Sequence, residues 1–300
     1  MPDTLPHMTR LLVAGPAGRT IEVLVEGALD GPVLLFHGGT PSAVAEFPML
    51  DDAARRNGLR LVTYSRPGYG RSTPRPAPGA YVDDVADAVA VLDHLGVDDF
   101  LTLGWSGGGP RALGCAALLP QRCRAAATVS GVAPFDADGL DWYDGMAEEN
   151  HEEYTSAQAG PEVYEAYLVE HTLPMLHTSA DELEEAFGGL VTPVDAAVLT
   201  ADFSNWLSRS FNHAATQGAV GVRDDGLAAM QPWGFELASI RVPVALWHGR
   251  QDAFVPYSHG SWLAGRIPGV TTHLYEDEGH LTLMYRLEEI LADLKRLGGD

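Results

Sequence analysis

The stretch Phe100-Leu101-Thr102-Leu103-Gly104-Trp105-Ser106-Gly107-Gly108-Gly109-Pro110-Arg111-Ala112-Leu113 decides the fold. An apolar run of strand-forming residues ends in a Gly-x-Ser-x-Gly turn, and a helix-compatible stretch follows. A sharp strand-to-helix turn of this kind holds its serine in a strained backbone conformation, and neighbours without Cβ let strand and helix approach. Ser106 Oγ then stands clear of the sheet as a candidate nucleophile. A structural glycine turn looks the same in isolation, so the reading depends on partners for Ser106 elsewhere in the chain.

Short β-branched or leucine-rich runs at residues 19–26, 33–36, 60–64, 100–103, 125–129, 242–247 and 272–275 alternate with Ala-rich amphipathic stretches at 41–57, 81–95, 107–119, 257–266 and 281–297. That alternation predicts βαβ units around a mostly parallel sheet. Several runs, such as Val33-Leu34-Leu35-Phe36, are apolar throughout, as strands covered by helices on both faces are. Residues 10–27 read as an antiparallel hairpin turning at Gly15-Pro16-Ala17-Gly18. Between 135 and 233 the alternation stops, and the segment reads as helices broken by Pro161, Pro174, Pro193 and Gly188-Gly189. The expected organisation is an α/β core over 1–134 and 234–300 with an all-helical insertion over 135–233.

A serine at its ordinary pKa is a poor nucleophile, so a base must take its proton and a carboxylate must orient that base. Asp252, in His248-Gly249-Arg250-Gln251-Asp252, follows an apolar strand, and His280, in Glu278-Gly279-His280-Leu281, follows the next. Both fall at the carboxyl edge of the sheet, on the rim that carries Ser106. Asp136, after strand 125–129, is a competing acid, while His248 and His259 read as packed or surface histidines. His37-Gly38-Gly39-Thr40 leaves strand 33–36 beside the same rim, so the backbone N–H groups of Gly39 and Gly107 are the expected oxyanion donors.

Nineteen basic against 41 acidic side chains in 300 residues give a formal charge of −22, which excludes nucleic acids and anionic membrane surfaces as partners. Residues 136–233 hold 19 of the acidic and 2 of the basic side chains, so most of the excess lies in the insertion. Glu148-Glu149 and Glu152-Glu153 recur at helical spacing and read first as a solvated face. The sharper alternative is that a minority of these carboxylates face the site and bind a substrate ammonium. Of nine large side chains in the insertion (Trp142, Tyr143, Tyr154, Tyr164, Tyr167, Met175, Trp206, Phe211 and Trp233), about three are expected to touch substrate.

Residues 1–10 carry no basic stretch followed by an apolar core, and no run approaches the roughly 18–20 apolar residues of a membrane span, which predicts a cytoplasmic protein. The two cysteines, Cys115 and Cys123, read as free thiols. No motif calls for a metal or other cofactor; a homodimer is compatible with the sequence.

On His37-Gly38-Gly39, Arg66-Pro67-Gly68-Tyr69-Gly70-Arg71-Ser72, Gly104-Trp105-Ser106-Gly107-Gly108, residues 248–256 and Gly279-His280, the chain resembles the α/β-hydrolase superfamily over nearly its whole length. It looks like the branch with a helical cap inserted after the sixth strand. The resemblance implies an eight-stranded-type, mostly parallel sheet flanked by helices, with Ser106, Asp252 and His280 as nucleophile, acid and base. The family's turn motif usually opens with Asp where this chain has Ser65. Haloalkane dehalogenases and epoxide hydrolases on this fold carry Asp at the position of Ser106, so an acyl-enzyme mechanism is implied instead. A small, largely neutral ester or lactone is the expected substrate. The alternatives are an amidase or aminopeptidase similar to proline iminopeptidases, whose elbow usually reads Gly-Gly-Ser-Trp-Gly, a small-molecule receptor, and a carbon–carbon hydrolase, lyase or perhydrolase.

Overall fold

A computed structural model describes residues 8–299. The reading of residues 1–10 therefore lies, for its first seven positions, outside the described residues. Eight strands form one sheet: β1 (Thr9–Ala14), β2 (Thr20–Gly27), β3 (Val33–His37), β4 (Arg60–Tyr64), β5 (Phe100–Trp105), β6 (Cys123–Val129), β7 (Val244–Gly249) and β8 (Thr271–Tyr275). Their order is β1-β2-β4-β3-β5-β6-β7-β8. β2 pairs antiparallel with β1 and with β4, and every later pairing is parallel.

The apolar runs sort onto two faces with the strand period of two. Leu34, Phe36, Leu61, Leu101, Leu103 and Trp247 pack with helices Pro48–Arg56 and Leu287–Gly298. Val33, Leu35, Val62, Phe100 and Leu246 pack with helices Tyr81–His94, Gly109–Leu118 and Tyr257–Ala264. Each such side chain removed from water contributes about 1.5–3 kcal/mol, so neither face tolerates polar alternation.

Between β6 and β7 the described residues form helices and no strand, chiefly Glu148–Gln158, Pro161–Tyr167, Ala201–Ala214 and Val220–Ala229. Leu168, Leu176, Phe203, Trp206 and Leu207 from this segment join the same apolar cluster as Leu103, Trp105 and Val129. The segment thus closes over the carboxyl end of the sheet.

Two helices are shorter than their sequence pattern. The one expected from residue 41 starts at Pro48, because the backbone before it is spent on tertiary partners. Ser210 Oγ donates to Ala43 O at 2.8 Å, and Val44 N donates to Ser65 Oγ at 3.0 Å. The other, expected from residue 281, opens as a 3₁₀ turn over Thr282–Arg286 and becomes α-helical only at Leu287. Cys115 and Cys123 are free and buried. Among the described residues no helix is long and apolar enough to cross a membrane, and no group of three or more His, Cys, Asp or Glu side chains is placed to hold a metal.

Candidate active site

Ser106 stands at the carboxyl end of β5 with φ of 55°, in the left-handed region that non-glycine residues rarely occupy. The turn requires its glycines: a Cβ on Gly104 would lie 2.2 Å from Gly108 O, and one on Gly108 would lie 2.0 Å from His37 O. The strain is held from below. Arg111 Nη1 donates to Gly107 O at 2.5 Å, its Nε to Asp84 Oδ2 at 2.6 Å and its Nη2 to Asp225 Oδ1 at 2.6 Å.

Arg66 does the same for the neighbouring loop, donating to Gly38 O at 2.8 Å and Gly39 O at 2.7 Å while its Nε meets Asp225 Oδ2 at 3.0 Å. Thr40 Oγ1 and Tyr69 Oη also donate to Asp225 Oδ2, at 2.8 and 3.0 Å. Burial alone would raise the Asp225 pKa, but the guanidiniums of Arg111 and Arg66 hold it down at about 2. Asp225 belongs to helix Val220–Ala229, so the segment between β6 and β7 supplies the counter-charge under both loops. Gly39 lies against the serine: a Cβ there would stand 3.2 Å from Ser106 Cβ.

His280 and Asp252, each expected at the carboxyl edge of the sheet, are in contact. His280 Nδ1–H donates to Asp252 Oδ2 at 2.8 Å, since a carboxylate can only accept, and this leaves Nε2 as the free acceptor. Val255 N donates to Asp252 Oδ1 at 2.8 Å, fixing the carboxylate from its far side. The His280 ring is stacked on Phe254 at 4.5 Å between centroids and lies 5.5 Å from Trp105. Ser106 and His280 line one cavity, together with Gly39 and Thr40. No hydrogen bond joins Ser106 Oγ to His280 Nε2 among the described residues, and such contacts commonly tighten only around substrate.

Asp136 is exposed and lines a separate surface hollow with Trp262 and Arg266. His248 is buried with Nε2 at 2.8 Å from Val255 O. His259 packs inside, where its Nδ1 accepts from Ala133 N at 3.1 Å and burial pulls its pKa down to about 4. His37 is buried between Tyr64 and Thr102, its pKa lowered by burial to about 3. Ser65 is not idle either: its Oγ donates to Glu22 Oε2 at 3.1 Å.

The roof of the cavity comes from helix Glu148–Gln158 and from side chains between Tyr167 and Phe211. Tyr154, Tyr167, Met175 and Phe211 line the cavity, whereas Trp142, Tyr143, Tyr164, Trp206 and Trp233 do not. The four glutamates divide by helical phase: Glu148 and Glu152 are exposed, while Glu149 and Glu153 face the cavity. Tyr164 Oη donates to Glu153 Oε1 at 2.8 Å, yet burial still raises the Glu153 pKa. Gly189 N donates to Glu149 Oε1 at 2.7 Å, and the buried Oε2 has no partner among the described residues. No Arg or Lys lines the cavity among the described residues. Arg66 is legible only as the opening of its turn motif, and Asp225 and Asp195 carry no signal in the sequence, because the partners of all three lie far away along the chain.

Comparison with known proteins agrees with this fold. A family model for the alpha/beta hydrolase fold matches residues 31–287. The chain is 26% identical over 284 residues to a 2-hydroxy-6-oxononadienedioate/2-hydroxy-6-oxononatrienedioate hydrolase of Klebsiella pneumoniae, covering 93% of this chain and 91% of that one. It is 28% identical over 235 residues to a bifunctional esterase/perhydrolase of Acinetobacter calcoaceticus, covering 77% and 78%. Among solved structures, a bromoperoxidase from Bacillus anthracis superposes with a TM-score of 0.73 at 20% identity over 96% of this chain and 100% of that one, a likeness of fold.

Proposed function

The chain belongs to the α/β-hydrolase fold family, and on that premise we propose that this hydrolase works through an acyl-enzyme formed on Ser106, with a small, largely neutral ester or lactone as substrate. The contact between His280 Nδ1 and Asp252, in a residue that lines the same cavity as Ser106, is the observation that carries the reading. His280 Nε2 takes the Ser106 proton as Oγ bonds to the carbonyl carbon, and the carbonyl π electrons move to its oxygen. The amides of Gly39 and Gly107 receive that oxyanion. On collapse, the carbon–oxygen bond to the leaving group breaks and its oxygen takes the proton from Nε2, departing as the alcohol of an ester or remaining as the hydroxyl of the opened acyl chain of a lactone. Water, deprotonated by the same nitrogen, then releases the acid and restores Ser106.

The roof refines the substrate class. The Klebsiella relative is named for dioates, but a cavity lined by Glu149 and Glu153 without Arg or Lys repels a dicarboxylate. Neutral acyl groups are accepted. Those two carboxylates also favour a second reading, an acyl group bearing an ammonium, as in an aminoacyl ester or amide. We further propose that residues 135–233 act as the lid of this site.

A fluorophosphonate probe should label the wild type on Ser106, and Ser106→Ala and His280→Ala should each lower kcat by at least about a thousandfold on a panel of p-nitrophenyl esters, lactones and aminoacyl amides. Asp252→Asn should be far more damaging than Asp136→Asn. Equal labelling of wild type and Ser106→Ala would end the acyl-enzyme reading, and the best substrate in the panel identifies the class.

A further inference from the structure

Asp195 lies in the short helix Pro193–Ala196 of the segment between β6 and β7 and is fully buried. Its carboxylate accepts three successive backbone N–H groups from the loop that carries His280. Oδ2 accepts from His280 at 2.9 Å, and Oδ1 accepts from Leu281 at 2.7 Å and from Thr282 at 3.1 Å. Gly279 passes so close that a Cβ there would stand 2.5 Å from both carboxylate oxygens.

These N–H groups stand at the entry to the 3₁₀ turn, whose first residue is Thr282, where no carbonyl of the same element can reach them. A Ser or Thr in the loop would normally satisfy one of them. Here a full charge arrives instead from 85 residues away in sequence. Burial raises the Asp195 pKa, while the amide donors and the neighbouring imidazole act against that rise.

We propose that Asp195 is the positioning residue of the base: it fixes the backbone of His280 so that Nε2 faces Ser106 while Nδ1 stays on Asp252, and its charge supports the imidazolium formed during acyl transfer. The proposal rests on the reading of His280 as the base. It makes the lid a working part of the site, because displacing the segment between β6 and β7 withdraws the acceptor that holds the base in place.

Other charged or titratable groups around this loop are Asp252 and His248 on the β7 side, Glu149 and Glu153 across the cavity, and Glu278, which pairs with Arg286. None of them is bonded to the amides of residues 280–282.

Asp195→Asn keeps the shape while removing the charge and one acceptor. It should lower kcat by about tenfold to a hundredfold with KM within about twofold of wild type. The acid limb of the kcat/KM profile should move to lower pH, because an imidazolium without that carboxylate nearby releases its proton more readily. A lowered melting temperature with unchanged kcat and an unmoved acid limb would assign Asp195 to folding alone and overturn the proposal. Amide hydrogen exchange on the wild type gives a second measurement that does not need the variant to fold. Protection at residues 280–282 comparable to that of β7 supports the clamp, and exchange at exposed-loop rates overturns it. His280→Ala, assayed in parallel, separates the two ideas. An inactive His280→Ala beside a fully active Asp195→Asn rejects only the clamp, whereas an active His280→Ala rejects the base itself.

Discussion

Beneath Ser106, Asp225 is surrounded by donors from Arg66, Arg111, Tyr69 and Thr40; across the cavity, Glu149 and Glu153 have only Gly189 N and the Tyr164 hydroxyl, and one Glu149 oxygen has no partner among the described residues. All three side chains come from the same acidic segment. The difference shows that a carboxylate's role is set by its donors. Saturated by two guanidiniums, it becomes a fixed strut for the strained turn and the loop beside it. With acceptor capacity to spare and a cavity in front of it, a carboxylate would, on the function proposed above, set which charges can enter.

The severest way to break this comparison is to remove the strut. Asp225→Ala leaves Arg111 buried with Asp84 as its remaining carboxylate partner and takes from buried Arg66 its carboxylate partner among the described residues, and should cost about 3–5 kcal/mol in denaturant unfolding followed by circular dichroism. A loss below about 1 kcal/mol would mean that the floor does not depend on its counter-charge.

Glu26 on β2 offers a sharper contrast, because it is buried with neither the strut's donors nor the roof's open cavity. Its Oε2 has no partner among the described residues, and burial, then repulsion from Asp51 and Glu46, pushes its pKa up from 4.5 to about 7. Glu22 on the same strand shows the opposite outcome. Burial would raise its pKa, but hydrogen bonds from His213, Arg71 N and Ser65 bring it below the ordinary value. Folded Glu26 keeps a proton that the unfolded chain releases above 4.5, so wild-type stability should fall as pH rises from 4.5 to about 7. Glu26→Gln should therefore be more stable than wild type by ~2 kcal/mol at about pH 8 and equal to it below about pH 4, read from melting curves across pH. A constant difference at every pH would show that the proton plays no part.

The smallest effect belongs to the roof. Glu149→Gln combined with Glu153→Gln should raise the kcat/KM ratio of carboxylate-bearing over ammonium-bearing esters by about fivefold to tenfold, with the shift shrinking in high salt. An unchanged ratio would deprive the roof of its selective role.

Much of the floor is legible from local pattern. The elbow at Gly104 to Gly108 is readable because its glycines are demanded by contacts within a few residues and by the adjacent strand from which Gly39 comes. Asp252 and His280 are readable because each follows an apolar strand at the carboxyl edge of a parallel sheet, and Asp136, the weaker candidate by sequence, is exposed on a separate hollow. The helix bounds fail at residues 41–47 and 281–286, where Ser210 and Asp195 capture backbone groups that periodicity assigns to a helix. Glu149 and Glu153 are recognisable as half of a charged face, but the half that looks inward is not.

The sequence by itself determined the parallel sheet, the strained serine and the strand ends that carry Asp252 and His280, since each follows from residues close in the chain or from strand ends that topology must align. Only the tertiary structure decided that Asp225 and Asp195 reach out of the helical segment to hold the two sides of the site, and that Glu149 and Glu153 face the cavity. A carboxylate's energy depends on the donors around it, and here those donors arrive from distant parts of the chain.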